Sequence, residues 1–240
     1  MLVLVSLLIK LGAAPFHSWL PGIVESISWT SLFILLTIQK INPLLIIINP
    51  QWILFSLFPI WISLIIGAII GLTQTQIRSI LTYSSINHIG WILVAWIENN
   101  YLLIIYFFSY LILLSPLVIL FNKINCSHLN NLTNLPIPLS LQFITFFLLL
   151  SLGGLPPFIG FMPKLLVIQE LLEAGTNLET CFLLVLIRLI TLFYYLRITF
   201  SAFILSNSKW NLLSNKLTLN QTFFLIATIS LLGLGFIFIT

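Results

Sequence analysis

Ser151-Leu-Gly-Gly-Leu-Pro-Pro-Phe-Ile-Gly-Phe-Met-Pro-Lys164 lies inside an apolar run spanning 139–173, and its reading decides the fold. The run holds about 35 residues, whereas one straight membrane helix needs roughly 20. Proline lacks an N–H and its ring clashes with the preceding turn. Pro156, Pro157 and Pro163, with Gly153 and Gly154 ahead of them, therefore predict a helix that breaks and resumes. At membrane depth a break is tolerated only where it is buried in protein or lines a wet cavity. The free helix ends then aim partial charges at that place. Lys164 follows directly on the break. A second such stretch opens the chain: Gly12-Ala-Ala-Pro15, then Pro21-Gly22, just after Lys10. A packing kink without a transport role is the competing explanation for either.

Outward from these stretches the whole chain is apolar. Hydrophobic residues make up 60% of the 240 and charged residues 6%. A soluble domain carries roughly 25% charged residues, so a water-facing globular surface is excluded. The net charge of +4 comes without any basic run, which excludes nucleic acid as a partner. Cys126 and Cys181 stand far apart and read as small apolar residues, not as ligands or a disulfide. There is no phosphate loop, nucleophile elbow, HExxH pair, metal cluster or dinucleotide fingerprint. No metal or cofactor is expected in this chain, and it should not bind NADH itself.

Hydropathy predicts an all-α, polytopic membrane helix bundle of eight passages, forming one transmembrane domain over 1–240. They cover 2–20, 28–48, 52–72, 77–97, 101–121, 139–173, 179–205 and 219–239. The first and sixth are broken helices. The longer connections, 122–138 and 206–218, are rich in Asn, Ser and Pro. Alternating the sides of the membrane sorts the charges. Arg78, Lys123, Arg197, Lys209 and Lys216 collect on one side with a single acid, Glu25. Glu98, Glu170, Glu173 and Glu179 collect on the other, with no base. The positive-inside rule turns the basic side toward the cytoplasm, or the matrix in a mitochondrion, and both termini away from it.

Four cations remain inside the spans: Lys10, Lys40, Lys164 and Arg188. A charge at the bilayer centre costs several kcal/mol unless it is solvated or paired, so such residues mark functional sites. Lysine suits a proton relay because burial makes its ammonium easier to deprotonate. Arginine keeps its proton, so Arg188 can only tune a neighbour, pair with an acid or serve as a structural cation. Near a span end a lysine can instead snorkel to the interface, an alternative that applies best to Lys40. Thr30, Thr37 and Lys40 predict one helical stripe, and Tyr83, Ser84, Asn87, His88 and Trp91 another. Histidine as a residue type titrates near neutrality, so His88 is either a relay group or a satisfied contact histidine. Tyr194 and Tyr195 follow Arg188 by one to two turns. His17, after the first break, is either a relay exit or a structural hydrogen-bonding residue.

These motifs resemble a known family. Lys10-Leu-Gly-Ala-Ala-Pro-Phe-His-Ser-Trp-Leu-Pro21 is similar to the broken-helix motif of antiporter-like subunits of respiratory complex I and related cation/proton antiporters. Gln39-Lys40-Ile-Asn-Pro43 resembles the lysine helix that follows it. Arg78-Ser-Ile-Leu-Thr-Tyr-Ser-Ser-Ile-Asn-His-Ile-Gly-Trp91, the 151–164 stretch and Tyr194-Tyr-Leu-Arg197 look like the subunit 2 branch of the mitochondrial NADH dehydrogenase. The resemblance implies relay roles for Lys10, Lys40 and Lys164. On its own chemistry His88 is a further relay candidate, and Arg188, which belongs to no motif of the family, His17, Tyr83 and Tyr195 are possible tuning groups. It implies a proton-translocating membrane-arm subunit of the mitochondrial inner membrane, with basic loops to the matrix. NADH, FMN, iron–sulfur clusters and ubiquinone are then expected in other subunits. Implied partners are neighbouring antiporter-like and small subunits and lipid, cardiolipin among them. In the family further helices precede the first broken one, and one supplies a glutamate to the first lysine. Here Lys10 follows Met1 by nine residues and no acid precedes it. Either the chain is shortened or the sequence is incomplete. In a shortened chain the partner of Lys10 comes from a neighbouring subunit or is absent. A scaffold subunit without a complete channel and a cation/proton antiporter subunit are the alternative functions.

Overall fold

The computed structural model describes residues 2–48, 52–124, 127–128 and 139–206, and these are almost entirely helical. The eighth passage, Cys126, Lys209, Lys216 and most of 122–138 and 206–218 lie outside the described residues. The first passage is α1 (Leu2–Leu11) and α2 (Trp19–Val24) with a break between them. The second is α3 (Trp29–Leu36) and α4 (Ile38–Ile47). Then come α5 (Ile53–Thr73), α6 (Ile77–Glu98) and α7 (Asn100–Ile124). The sixth passage is α8 (Leu139–Gly153) and α9 (Phe161–Glu173), and the seventh is α10 (Leu178–Ser206). Five of the passages are long and apolar enough to cross a membrane as one span. The chain is therefore a multi-pass membrane protein.

The centre of the bundle is α6, which packs against α2, α5, α7 and α9. It is also the most polar of the long helices, carrying Ser79, Thr82, Ser84, Ser85, Asn87 and His88, all buried. In lipid an apolar side chain gains little from being inside, while a polar one must be there. The hydroxyls of Ser79, Thr82, Ser84 and Ser85 each donate to the carbonyl three residues back in their own helix, so they need no outside partner. The outward faces carry Phe58, Ile69, Phe108, Phe182, Leu189 and Phe193, all exposed, as a lipid boundary requires. Helices α5 and α6 approach so closely that a Cβ on Gly67 would lie 2.6 Å from the Asn87 amide nitrogen. The Asn87 side chain donates to the Leu64 carbonyl at 2.9 Å across the same contact.

Both expected breaks exist, with one adjustment. Gly12 and Gly154 take the left-handed φ of 71° and 85° that ends a helix cheaply at glycine. Pro15, Pro156 and Pro157 lie in the intervening turns. Pro163, expected to contribute to the break, instead sits in the first turn of α9. There its missing N–H is one that no intrahelical carbonyl would have used.

A third break falls where none was expected. Thr37 leaves helical geometry with φ −121° and ψ −76°, separating α3 from α4. Its hydroxyl donates to the Phe33 carbonyl at 2.6 Å, the back-bonding that bends helices. The expected Thr30–Thr37–Lys40 stripe is thereby cut. Thr37 and Lys40 are buried, while Thr30 is exposed beside Ser28.

Two arginines assigned to the basic side close helix ends. Arg78 donates to the Glu25 carbonyl after α2 at 3.1 Å. Arg197 donates to the carbonyls of Leu72 and Gln74 at the end of α5, at 2.6 and 3.2 Å. Cations at helix C-termini complement the partial negative charge there.

Candidate functional site

The second break is built around two cations. Helix α8 ends at Gly153, leaving its last carbonyls without intrahelical donors. Lys164, in the first turn of α9, turns back and donates to the Leu152 carbonyl at 3.1 Å and the Gly153 carbonyl at 3.0 Å. Arg188, from α10, donates to the next carbonyl, Gly154. Its guanidinium also lies 4.5 Å from the centre of the Phe161 ring. Lys164 is 2% exposed, so its charge is held by these carbonyls and not by water at a surface. No carboxylate among the described residues pairs with either cation.

A second cluster lies across α4, α6 and α7. Lys40 is 2% exposed, and its ammonium stands 5.5 Å from the Tyr110 ring centre. The Tyr110 and His88 rings are 4.9 Å apart. His88 Nδ1 and the Tyr106 hydroxyl share a hydrogen bond of 3.0 Å, whose direction depends on the imidazole tautomer. His88 lies within electrostatic reach of both Lys40 and Lys164, and Tyr106 within reach of Arg188. Contacts run from Lys40 to Tyr110, His88 and Tyr106, and the Arg188 and Lys164 pair lies within electrostatic reach of that chain. Tyr195 turns its hydroxyl toward Ser84 and Tyr194, and Tyr110 toward Ser85, without well-aligned bonds.

Tyr106 and Tyr110 were missed in the sequence because they sit in a run of Ile, Leu and Phe that reads as plain span. The available signal was two phenols four residues apart, hence on one helix face. The expected stripe on α6 also divides. His88 faces α7, whereas Asn87 faces α5 and serves helix contact.

The first break does not join this cluster. Lys10 is exposed and makes no hydrogen bond or ion pair among the described residues. The end of α1 is closed by other donors. Trp19 Nε1 donates to the Ile9 carbonyl at 2.9 Å, as does the Gly12 amide at 3.1 Å. His17 meets the Tyr83 ring edge at a centre distance of 6.4 Å, away from His88's partners. Cys181 is a buried free thiol. Among the described residues no three His, Cys, Asp or Glu are placed to hold a metal ion.

Broken helices that bury lysines in a polytopic bundle define an antiporter-like membrane subunit. The family model for NADH:quinone oxidoreductase/Mrp antiporter membrane proteins matches residues 1–191. The chain is 44% identical over 239 residues to NADH-ubiquinone oxidoreductase chain 2 of Aedes aegypti, covering 97% of this chain and 70% of that one. It is 44% identical over 218 residues to the same chain of Anopheles gambiae, covering 89% and 63%. It therefore spans about two thirds of the length of these relatives. A solved structure of respiratory complex I from Thermus thermophilus contains a similar fold. The TM-score is 0.78 at 24% identity, covering 97% of this chain and 55% of that one. The protein belongs to the antiporter-like family of NADH:quinone oxidoreductase membrane subunits and, within it, to NADH-ubiquinone oxidoreductase chain 2.

Proposed function

We propose that the chain forms one transmembrane domain of the proton-translocating membrane arm of NADH:ubiquinone oxidoreductase in the mitochondrial inner membrane. Its basic loops face the matrix. Neighbouring antiporter-like and small subunits and lipid surround it, and NADH, FMN, iron–sulfur clusters and ubiquinone belong to other subunits. The observation that carries the proposal is the buried file Lys40–Tyr110–His88–Tyr106, with Lys164 within electrostatic reach of His88. Quinone reduction elsewhere perturbs one charge, and each buried lysine binds or releases a proton as its neighbour's charge changes. His88 suits the middle position because either ring nitrogen can give or take a proton. The lysines act by electrostatic coupling and perform no redox step.

Lys40→Met tests this. It keeps the apolar stem and removes the only proton carrier of α4. The expected result is a loss of coupled turnover of about tenfold or more in a complex that still assembles. Normal coupled turnover in the assembled variant would count against the relay. A second function, a scaffold without its own complete channel, is favoured by one observation. Lys10, the relay lysine expected at the first break, lies on the surface without a partner among the described residues. Retention of proton pumping by both Lys40→Met and Lys164→Met would establish the scaffold.

A further inference from the structure

The second break carries two cations on one helix end, and the relay above uses only one of them. The carbonyl end of a helix bears roughly half a negative charge. One ammonium on Leu152 and Gly153 is enough to complement it. The two carbonyls favour the protonated form of a lysine there and so oppose the effect of its burial. Arg188 occupies the very next carbonyl, Gly154. A Cβ on Gly154 would lie 3.3 Å from Lys164 Cδ and 3.4 Å from Arg188 Nη2, so both side chains close over the same residue. The guanidinium is held from its other side by the Phe161 ring, 4.5 Å away. It cannot relieve the crowding by losing a proton, whereas the lysine can.

We propose that Arg188 is a positioning residue for Lys164, a permanent charge on the shared helix end that adds to burial in favouring proton release from Lys164 toward His88. This rests on the relay reading given above. Two groups lie within electrostatic reach of the pair: His88 on α6 reaches Lys164, and Tyr106 on α7 reaches Arg188. Lys40 on α4 and Tyr110 on α7 lie on the other side of His88, and Tyr194 and Tyr195 on α10 lie beside Tyr106. The acids Glu170 and Glu173 lie on α9 itself, six and nine residues beyond Lys164, about 9 and 14 Å along the helix. Glu98 faces Glu170 at that outer end. None of them reaches the break to neutralise either cation.

The test is the pH dependence of coupled NADH:ubiquinone turnover and of proton uptake, in assembled complex reconstituted into liposomes. Arg188→Gln keeps an amide donor and removes the charge. We expect the alkaline limb of coupled turnover to move upward by about one pH unit, because a neighbouring positive charge no longer opposes the ammonium. Proton uptake at neutral pH should fall several-fold, and Arg188→Lys should restore most of it. A profile that coincides with the unaltered complex would overturn the inference and leave Arg188 a simple cap. If Arg188→Gln does not assemble, Phe161→Leu loosens the guanidinium without touching any charge. A smaller shift in the same sense supports the inference, and an unchanged profile overturns it. Lys164→Met run in parallel separates the two ideas. Full pumping without Lys164 sinks the relay, whereas lost pumping with an unmoved Arg188→Gln profile sinks only the role of Arg188.

Discussion

The two broken passages look alike in sequence and differ in how they close. Each places a lysine beside a Gly/Pro turn, Lys10 before the first and Lys164 after the second. At the second, Lys164 and Arg188 bind three consecutive carbonyls and lie inside the bundle. At the first, a neutral donor, the Trp19 indole, takes the Ile9 carbonyl, and Lys10 is left on the surface. The lesson is that a helix end in a membrane needs a donor but not a charge. Where a neutral side chain supplies the donor, the lysine beside it is free to face a neighbour. Where the lysine supplies it, lysine and break become one site.

The comparison can be broken most forcefully at Gly160. A Cβ there would meet the Ser151 carbonyl oxygen at 1.8 Å, backbone against backbone, with nothing flexible to yield. Gly160→Ala should reduce assembled complex by more than about tenfold on native gels, as the costliest steric errors do. Normal assembly would mean that the second break is much looser than described.

Next in size is the contrast between the lysines themselves. Lys164→Met removes the donor to two buried carbonyls and a relay group together. It should lower coupled turnover about tenfold or more, with a visible loss of assembly. Lys10→Met breaks no contact among the described residues and should leave assembly within about twofold. Equal loss of turnover from both, measured per assembled complex, would show that Lys10 has a partner outside the described residues. The smallest effect is expected from Trp19→Phe, which deletes the indole donor but keeps the ring. Hydrogen bonds inside membranes are worth about 0.6 kcal/mol on average, so the melting temperature of the complex should fall by only a degree or two. A drop as large as that of Lys164→Met would refute the division of labour between the two breaks.

The charges themselves made part of the site legible in the sequence. A lysine in an apolar span has no cheap place in lipid, so Lys10, Lys40 and Lys164 were all expected inside, with snorkelling the alternative for Lys40. Lys40 and Lys164 are buried and Lys10 is exposed. Proline and glycine chemistry is local, so the turns at Gly12–Pro15 and Gly154–Pro157 were also readable. Tyr106 and Tyr110 were not, because a phenol in an apolar helix has no fixed meaning until something polar faces it. Arg188 could be recognised as unusual, yet its partner is a carbonyl 34 residues away. The break at Thr37 depends on a threonine choosing its own backbone, which most threonines in helices do without breaking them.

What the sequence determined by itself is therefore the class: an all-helical membrane chain, two proline-broken passages and cations that must be accommodated inside. Those follow from the solvent, because lipid forbids unpaired charge and unpaired backbone wherever they occur along the chain. The tertiary structure decided which cations share a site. It put Lys164 with Arg188, Lys40 with Tyr110 and His88, and left Lys10 outside. That choice is geometric. It depends on which helix faces meet around α6, and periodicity fixes the faces of each helix but not their neighbours.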